Sequence, residues 1–513
     1  MKRAADLGGG GGGRDVVGGT WGYRRRPARC YLGPVRRDLP ALAGREHDLV
    51  IVGGGIYGVA AAWDAAQRGL AVALVEREDF GAGVSWNSLK TIHGGLRYLQ
   101  GADFARLRES VRERRALLRI APRLVRPLPF LVPTYGHGRM GREALALALA
   151  VNDRISHDRN DGLPETHHIP RGRILSRREA LERLPGLPER GLSGAGLWSD
   201  AQVASSERLT LAFVHAAAEA GAVVANHVEA VGFLMRASRV AGVRLRDTLT
   251  GHELEARARI VLNCAGPGVD ALLAEAGIRR RHAPLLRAWN LVFARTPCVP
   301  FAVGARREGR FLFLVPWRER TIVGTAYAPA EAPVEDAVAA LREAALQAFP
   351  WAGLEGAPVV LVHEGLLPGR GGAGGLSTRP RLHDHQAEDG VARLVTVQGV
   401  KYTTARGVAE KAVDLVFHRL GRPEPPCRTM ETPLPRARGL EGTLEAQTLQ
   451  AIREEMAVTL ADAVLRRLDL GSAGPPPGPD LDAVARTMAA TLGWDAERER
   501  AERAALAKRY PAA

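Results

Sequence analysis

Residues 48–58 read Asp-Leu-Val-Ile-Val-Gly-Gly-Gly-Ile-Tyr-Gly, and this stretch decides the fold. Its apolar run, residues 49–52, is typical of a strand that is buried on both faces of a parallel sheet. Three glycines follow with GxGxxG spacing, at Gly53, Gly55 and Gly58. Because glycine permits a tight turn and close approach of backbone to ligand, the stretch predicts a turn that meets the phosphates of a nucleotide.

The residues after the glycines complete a dinucleotide-binding unit. Residues 59–68 are Ala-rich and predict a helix that ends at Gly69, and residues 71–75 predict a second strand closed by Glu76. The N-terminus of such a helix offers unpaired N–H groups to a pyrophosphate, and an acid at the end of the second strand accepts hydrogen bonds from ribose hydroxyls. The unit alone does not decide between NAD and FAD.

The next segment favours FAD. Residues 85–90 read Ser-Trp-Asn-Ser-Leu-Lys and lead into Ile-His-Gly-Gly-Leu-Arg-Tyr-Leu at residues 92–99, without the third-strand pattern of an NAD domain. Here the sequence resembles the FAD-dependent glycerol-3-phosphate dehydrogenases, a family within the D-amino-acid-oxidase-like flavoproteins whose members carry a Ser-rich stretch followed by HGGLRYL. The resemblance spans roughly residues 45 to 505 and implies FAD as the cofactor.

The resemblance implies a set of cofactor contacts in this part of the chain. In the family, the Ser-rich stretch contacts the flavin pyrophosphate, and the two glycines let the backbone pack near the isoalloxazine ring. The residues so implied are Ser85, Asn87, Ser88, Gly94 and Gly95. Trp86 and Leu89 depart from the small or polar residues that are usual in the family.

Two residues of the same motif are expected to act on the substrate. The resemblance places Arg97 against an anionic group, and a guanidinium binds phosphate bidentately. His93 has two interpretations. It is either a base near the reacting carbon, since a neutral imidazole titrates in the useful range, or a packed hydrogen-bonding residue beneath the flavin.

Further cofactor and substrate residues lie late in the chain. Residues 395–406 read Val-Thr-Val-Gln-Gly-Val-Lys-Tyr-Thr-Thr-Ala-Arg, which is similar to the family's GGKxTTxR signature with Gln398 in place of the first glycine. The stretch opens a predicted helix whose N-terminus stabilises the anionic reduced flavin. The resemblance implies that Arg379 and Lys401 join Arg97 around the substrate. It implies cofactor contacts for Gly399, Thr403 and Thr404 and, earlier in the chain, for Val228, Ala265 and Gly266.

The substrate-domain sheet contains a departure from the family. Residues 289–294, 311–315 and 321–326 predict antiparallel strands, which the resemblance assigns to a sheet that covers the flavin face. Glycerol-3-phosphate dehydrogenases have a histidine where this chain has Asn290. An asparagine can hydrogen-bond but cannot serve as a base near neutrality, so Asn290 leaves the exact substrate open.

These patterns predict an α/β fold with a Rossmann-type FAD-binding domain, an antiparallel-sheet substrate domain and a C-terminal helical domain. Residues 453–467 and 481–492 predict amphipathic helices, similar to the C-terminal domain of glycerol-3-phosphate dehydrogenases and oxidases. The predicted division is a disordered Gly/Arg-rich head (1–46), an oxidoreductase body (47–420) and the helical domain (421–513). Within the body, the FAD domain takes about 47–130, 191–280 and 365–420, and the substrate domain about 131–190 and 281–364.

Composition and charge limit the class of protein. The share of charged residues is 25%, with nearly half of the chain apolar, which is the balance of a globular protein. The net charge is +15, and residues 1–46 carry ten Lys or Arg against four Asp or Glu. We attribute the basic surplus to an Arg/Ala/Gly-rich composition and expect no nucleic-acid partner. For the head, a flexible extension or sequence ahead of the natural start is favoured over a membrane-touching tail.

Cysteine usage and hydropathy point to the inside of the cell. The four cysteines form no CxxC pair or metal-spaced cluster, which fits a reducing compartment, and no metal is expected. No apolar run reaches the roughly 18–20 residues of a membrane span, so membrane contact would be peripheral. We expect a cytoplasmic protein, and leave open a peripheral position on the inner face of the cell membrane and a homodimer. The arginines within residues 103–119 are expected to form the solvated face of a helix.

The resemblance implies a reaction. Hydride would pass from the secondary carbinol carbon of sn-glycerol 3-phosphate to flavin N5 while a base takes the hydroxyl proton, giving dihydroxyacetone phosphate. Electrons would pass on to a membrane quinone, or to oxygen in an oxidase. Two alternatives remain: an FAD-dependent oxidase of another hydroxy acid or an amino acid, and a catalytically inactive flavoprotein. The cations Arg97, Arg379 and Lys401 argue against an amine substrate, which brings its own positive charge.

Overall fold

The computed structural model describes residues 34–511, except for residues 139–140, 280–282, 308–309 and 371–374. The strands are β1 (Glu46–Val52), β2 (Val72–Val75), β3 (Thr91–Ile92), β4 (Val125–Tyr135), β5 (Arg173–Ser176), β6 (Leu192–Val203), β7 (Val223–Ala225), β8 (Val228–Arg236), β9 (Arg239–Asp247), β10 (Glu253–Asn263), β11 (Leu285–Phe293), β12 (Ala302–Arg307), β13 (Arg310–Trp317), β14 (Arg320–Pro329), β15 (Val359–Pro368), β16 (Arg381–Asp384) and β17 (Leu394–Gln398). The α-helices are α1 (Leu39–Ala43), α2 (Ile56–Gln67), α3 (Phe104–Ile120), α4 (Arg142–Ile155), α5 (Arg177–Arg183), α6 (Ser206–Glu219), α7 (Val269–Ala274), α8 (Val334–Ala348), α9 (His385–Glu388), α10 (Ala405–Leu420), α11 (Leu444–Glu455), α12 (Gly478–Leu492) and α13 (Ala496–Ala507).

The first sheet is the one that the glycine-rich stretch predicts. Within the described residues it has eight strands, ordered β16-β17-β10-β1-β2-β7, with β9 beside β10 and β8 beside β9. Strand β1 runs parallel to both β2 and β10. Leu49 and Ile51 pack in the cluster that contains α2, whereas Val50 and Val52 pack on the opposite side with β9. The prediction of a strand buried on both faces is confirmed.

The second sheet is larger and mostly antiparallel. Its described strands run in the order β15-β11-β14-β13-β12-β4-β6-β3, with β5 beside β6, and β12 pairs with β4 in parallel. The predicted fold class is confirmed, including the three strands predicted around residues 289–326. The division of the chain into domains stays a prediction, although β6 joins this second sheet and not the FAD-domain sheet to which the sequence assigned residues 191–280.

The C-terminal helices form a small core of their own. Ala451, Leu460, Val464, Val484 and Met488 are buried together. The single helix predicted for residues 453–467 is wrong. Helix α11 ends at Glu455, Met456 takes the left-handed conformation at φ +56°, and the chain resumes as a π-helix at Asp462–Arg467.

Buried ion pairs join this helical unit to the FAD domain. We call the contact of Asp79 with Arg466 and Arg467 the Asp79 clasp; Arg467 Nη2 donates to Asp79 Oδ1 at 2.8 Å, and neither side chain is exposed. The clasp lies next to the nucleotide turn, because Gly81 N–H donates to the Gly54 carbonyl at 3.0 Å. A second buried pair joins Glu455 to Arg208 of α6, with Arg208 Nη2 donating to Glu455 Oε1 at 3.0 Å.

Part of the predicted disordered head is folded. Residues 1–33 lie outside the described residues, but Leu42 of α1 is fully buried and Arg37 pairs with Asp247 of β9. Arg37 Nε also donates to the Asn226 carbonyl at 2.9 Å. The prediction of disorder is therefore wrong for residues 34–46, because a composition rich in Gly and Arg hid these long-range contacts.

Among the described residues, no helix combines the length and the apolar character needed to cross a lipid bilayer.

Candidate active site

The glycine turn between β1 and α2 has no room for side chains. Gly53 has φ +105° and donates its N–H to the Val75 carbonyl at 2.8 Å. A Cβ at Gly53 would collide with the carbonyl of Cys264, and a Cβ at Gly58 would collide with the carbonyl of Gly53. Gly55 is the residue before the first turn of α2, and the N–H groups at a helix N-terminus attract a phosphate.

Glu76 closes β2 beside this turn. Its Oε2 accepts the N–H of Gly54 at 2.6 Å and its Oε1 accepts the N–H of Glu78 at 3.0 Å. Burial raises the pKa of the Glu76 carboxyl. Each carboxylate oxygen keeps a further lone pair, so ribose hydroxyls could still donate to it. The N–H of Val228 donates to the Glu76 carbonyl at 2.7 Å, so Val228 supports the acid through its backbone.

The Ser-rich stretch divides into two parts. Ser85 Oγ accepts the N–H of Ile56 at 2.9 Å, which brings it to the N-terminus of α2. The carbonyl of Ser88 accepts a hydrogen bond from His363 Nδ1 at 2.9 Å and thereby ties the stretch to β15. Asn87 donates to the Gly83 carbonyl at 3.3 Å, but no donor within the described residues reaches its buried Oδ1. A buried acceptor without a donor is costly, and a bound ligand can supply one.

A second turn lies beside the glycine turn, at the end of β10. The N–H of Cys264 donates to the Val52 carbonyl at 2.7 Å, so the two turns are held together. The N–H of Ala265 donates to Asn263 Oδ1 at 3.2 Å, and Gly266 has φ +58°. Both predicted residues therefore lie at the same edge of the sheet as Gly53.

Tyr57 holds the turn before α10. Its hydroxyl accepts the N–H groups of Val400 and Lys401, each at 3.0 Å, and donates to the Lys401 carbonyl at 2.7 Å. A Cβ at Gly399 would overlap the Tyr57 ring. Burial raises the pKa of Tyr57 to about 12, so the hydroxyl stays protonated at neutral pH. Helix α2 thus positions the turn that contains Lys401.

Helix α10 itself is anchored from behind. Thr403 and Thr404 are buried before its first turn. Arg406 Nη2 donates to Glu113 Oε1 of α3 at 2.6 Å, and both side chains are almost fully buried. The N-terminus of α10 is therefore fixed, as a preorganised source of positive potential must be.

These residues fit a dinucleotide flavin. A turn without Cβ atoms and an acid at the end of β2 meet at one edge of the first sheet. Ser85 contacts the same turn, and Asn87, two residues further on, has a buried amide oxygen without a donor in the described residues. The assignment of individual contacts to the cofactor stays a prediction for the whole set: Gly53, Gly55, Gly58, Glu76, Ser85, Asn87, Ser88, Gly94, Gly95, Val228, Ala265, Gly266, Gly399, Thr403 and Thr404.

His93 is oriented by a buried carboxylate. Its Nδ1 lies 3.3 Å from Asp200 Oδ2, and Asp200 Oδ1 accepts the N–H of Gly94 at 2.7 Å. Burial would raise the pKa of Asp200, but the hydrogen bond from His93 and the charge of Arg114 bring it below its usual range. The side chain of His93 is 45% exposed beside Phe313, so a ligand can reach the ring.

The three predicted cations have different surroundings. Lys401 Nζ donates to the Tyr98 hydroxyl, and burial together with the charges of Arg106 and Arg97 lowers the pKa of Lys401 to about 8. Arg97 is exposed, and its charge is close enough to act on Lys401. Arg379 is 72% exposed and reaches Asp103 at 3.2 Å, so no direct contact with Lys401 is formed within the described residues.

Asn290 is fixed in the second sheet. It is 5% exposed, its Oδ1 accepts the hydroxyl of Thr325 at 2.7 Å, and it packs against Gly324. On the neighbouring strand β15, the residue opposite Asn290 is His363, which is also buried. Burial lowers the pKa of His363 well below its usual value, so His363 is neutral.

Sequence reasoning missed four residues of this site: Tyr57, Tyr98, Asp200 and Arg106. Tyr57 and Tyr98 stand inside quoted motifs, so their position was a usable signal. Asp200 contacts His93 and Arg106 contacts Thr378 across long stretches of chain, and no local pattern marks these two pairings. The arginines of α3 were predicted as a solvated face, and this is wrong for Arg114, which is buried against Asp200.

Family comparisons agree with this geometry. Residues 48–415 match the FAD dependent oxidoreductase family, and residues 427–499 match the C-terminal domain of alpha-glycerophosphate oxidase. The protein is thus an FAD-dependent oxidoreductase, and its cofactor is FAD.

Relatives narrow the class. The chain is 32% identical to a glycerol-3-phosphate dehydrogenase of Synechocystis sp., with 80% of this chain and 77% of that protein covered. It is 30% identical to the mitochondrial glycerol-3-phosphate dehydrogenase of Rattus norvegicus, covering 85% of this chain but 63% of the relative. The solved glycerol-3-phosphate dehydrogenase of Bacillus halodurans, complexed with FAD, has the same fold, with a TM-score of 0.69, 22% identity, and 92% and 95% of the two chains covered. The chain belongs to the FAD-dependent glycerol-3-phosphate dehydrogenase family.

Proposed function

We propose that the protein oxidises sn-glycerol 3-phosphate to dihydroxyacetone phosphate. The observation that carries the proposal is the half-buried Lys401 beside Arg97 and Arg106, at the turn that opens α10. Such a group of cations suits a phosphate dianion and disfavours an amine substrate. The names of the relatives agree with this substrate.

Substrate binding would rest on these cations. Lys401 supplies a charge whose pKa of about 8 leaves it protonated at neutral pH. Arg97 is exposed and free to turn toward an incoming phosphate, and Arg379 lies at the outer edge of the same group. Binding the phosphate would hold the secondary carbinol in a fixed place, which is the protein's main contribution when a cofactor supplies the chemistry.

His93 would take the hydroxyl proton. Its Nδ1–H faces Asp200, which leaves the Nε2 lone pair for the substrate and stabilises the imidazolium that forms. Asn290 cannot act as the base instead, because a side-chain amide does not accept a proton near neutral pH. FAD, when bound, supplies the hydride acceptor. We propose His93, Arg97, Arg379 and Lys401 as the residues that act on the substrate.

We further propose that electrons leave to a quinone. In this proposal the protein is cytoplasmic and lies peripherally on the inner face of the cell membrane, where its basic surplus would favour anionic lipid. Turnover with a soluble quinone under anaerobic conditions supports this acceptor. Equal turnover with oxygen alone would instead make the protein an oxidase.

The function is tested by adding sn-glycerol 3-phosphate to the purified holoprotein without oxygen and following the flavin absorbance. We expect bleaching and the formation of dihydroxyacetone phosphate. A matched variant, Asp200→Asn, should slow bleaching at saturating substrate by about 10²-fold or more, because it removes the carboxylate that orients and stabilises His93. Intact FAD that glycerol 3-phosphate does not bleach would overturn the proposed substrate.

A second candidate rests on Asn290. An FAD-dependent oxidase of another hydroxy acid or an amino acid would not need the histidine that Asn290 replaces. This candidate predicts bleaching by hydroxy or amino acids that carry no phosphate. A panel of such compounds, compared at equal concentration with glycerol 3-phosphate, separates the two functions.

A further inference from the structure

Helix α3 brings to the site a cation that the motifs do not contain. Arg106 lies in its first turn, and its side chain is 23% exposed, unlike the more open arginines Arg108 and Arg112 on the same helix. Its guanidinium carbon is 4.6 Å from the centroid of the Tyr98 ring. It is therefore held inward, over the same residue that Lys401 contacts.

Two cations share the Tyr98 ring. Lys401 Nζ lies 4.3 Å from the ring centroid, and Arg106 lies 4.6 Å from it. An aromatic face attracts each cation, but it does not remove their mutual repulsion. Burial lowers the pKa of Lys401, and the neighbouring charges of Arg106 and Arg97 lower it further. An anion bound between the two cations would relieve their repulsion.

Protein groups neutralise Arg106 only in part. Asp103 Oδ2 accepts from Arg106 Nε at 2.6 Å and also from Arg379 Nη2 at 3.2 Å, so one carboxylate serves two guanidinium groups. Arg106 Nη1 donates to Thr378 Oγ1 at 2.6 Å. No hydrogen-bond acceptor for Arg106 Nη2 is found within the described residues. Arg106 thereby connects Arg379 to Lys401, and in the described part of the chain its Nη2 edge faces no acceptor.

We propose that Arg106 determines the specificity of the site for a phosphate monoester. Its Nη2 edge and Lys401 Nζ would bind the phosphate oxygens together, while Asp103 and Thr378 hold the guanidinium in place. The substrate class is a secondary alcohol that carries a phosphate, and an unphosphorylated hydroxy acid or amino acid lacks the group that Arg106 recognises. This inference rests on the proposed function for the identity of the alcohol, but its phosphate contact can be measured separately.

The test compares Arg106→Gln with Arg108→Gln in the FAD-loaded protein. Arg108 is on the same helix and pairs with Asp158, away from Tyr98, so it is a matched control. Titration with inorganic phosphate, followed by the change in flavin absorbance, gives a dissociation constant that needs no turnover. We expect Arg106→Gln to weaken phosphate binding and to raise KM for glycerol 3-phosphate by about 10- to 100-fold, since it removes a charge-assisted contact. The control should change neither value by more than about twofold.

Two further readouts separate specificity from a structural role. The rate of flavin bleaching at saturating glycerol 3-phosphate should change much less than KM. Removing the charge of Arg106 should also raise the pKa of Lys401, because Lys401 would lose a neighbouring cation. The pH above which KM increases should therefore be higher in Arg106→Gln than in the wild type. Arg106→Lys should recover part of the lost affinity. A loss of FAD or of folding in Arg106→Gln is recognised by absorbance and circular dichroism, and Arg106→Lys then serves as the test variant.

The outcomes distinguish this inference from the proposed function. If the wild-type protein binds phosphate through Arg106 but glycerol 3-phosphate does not bleach the flavin, the proposed substrate is wrong and the phosphate contact stands. If glycerol 3-phosphate bleaches the flavin equally well, and with equal KM, in Arg106→Gln and Arg108→Gln, the specificity role of Arg106 is overturned. Equal phosphate affinity in both variants would overturn it as well.

Discussion

Two regions of the FAD domain are rich in charged side chains: the Asp79 clasp, which contacts the C-terminal helices, and the substrate-facing side around Lys401. Positive and negative charges are matched in the clasp, whereas positive charges are in excess on the substrate-facing side. In the Asp79 clasp, Arg466 and Arg467 meet Asp79 and Asp462, and all four side chains are at most 5% exposed. On the substrate-facing side, Asp103 serves two arginines while Lys401 and Arg97 add further positive charge. Balanced, buried charge fixes the structure, whereas unbalanced charge at a cleft is typical of a ligand site.

The largest effect on stability is expected in the Asp79 clasp, where the buried charges are balanced. Asp79→Ala leaves two buried guanidinium groups without their carboxylate, which should lower the free energy of unfolding by about 3–5 kcal/mol. FAD affinity should fall with it, because the neighbouring Gly81 is hydrogen-bonded to Gly54 of the nucleotide turn. Urea unfolding and flavin fluorescence measure the two effects.

The exposed pair Arg438–Glu441 provides the control for that variant. Arg438→Ala should cost less than about 1 kcal/mol and leave FAD affinity unchanged. Similar losses in Asp79→Ala and Arg438→Ala would show that burial and balance do not distinguish the two kinds of pair.

The next effect is expected at the glycine turn itself. In Gly58→Ala the new methyl group would meet the Gly53 carbonyl, and the forced backbone shift should cost about 1–3 kcal/mol and reduce the FAD content of the purified protein. Gly83→Ala is the matched control, since a Cβ there meets nothing within 4 Å. If both variants keep full FAD, the turn does not need its missing Cβ atoms.

A smaller effect is expected at Tyr57, whose hydroxyl joins α2 to the turn that contains Lys401. Tyr57→Phe keeps the ring that packs on Gly399 but leaves two N–H groups without an acceptor, at a cost of about 1–3 kcal/mol. Because the same hydroxyl positions the Lys401 turn, KM for glycerol 3-phosphate should also rise. Tyr135→Phe, at an exposed tyrosine, should alter neither thermal unfolding nor KM.

The smallest effect concerns the pH dependence of binding. Lys401 carries its charge below about pH 8 and loses it above, so KM for an anionic substrate should rise several-fold as the pH increases through that value. The phosphate is already a dianion in this range and contributes no change of its own. Lys401→Arg stays charged and should give a flat profile, which steady-state kinetics between neutral and alkaline pH would reveal. A rise that persists in Lys401→Arg assigns the titration to another group.

The sequence predicts the glycine turn better than it predicts the substrate-facing side. Gly53, Gly58 and Glu76 follow each other closely in one strand–helix–strand unit, so their spacing alone indicates their geometry. The contacts of Tyr57 with Lys401 join residues 344 positions apart, and those of Arg106 with Thr378 join residues 272 apart. No periodicity within either segment encodes such a pairing.

Two of the wrong structural predictions, those for residues 34–46 and 453–467, have the same cause. Residues 34–46 were predicted as disordered from their composition, yet Arg37 is held by Asp247, more than two hundred positions away. The helix predicted for residues 453–467 is interrupted, because Glu455 forms an ion pair with Arg208 and Met456 takes the left-handed conformation. Tertiary ion pairs override local propensity at both places.

Cys264 gives the protein a natural reporter on its nucleotide turn. The residue is 7% exposed, its backbone presses on Gly53, and burial raises the pKa of its thiol. A thiol reagent can reach the Cys264 sulfur only when this part of the sheet edge opens. The alkylation rate at Cys264, measured by peptide mass spectrometry and compared with that of the exposed Cys298, would therefore report how often the cofactor site opens locally in the protein without any substitution.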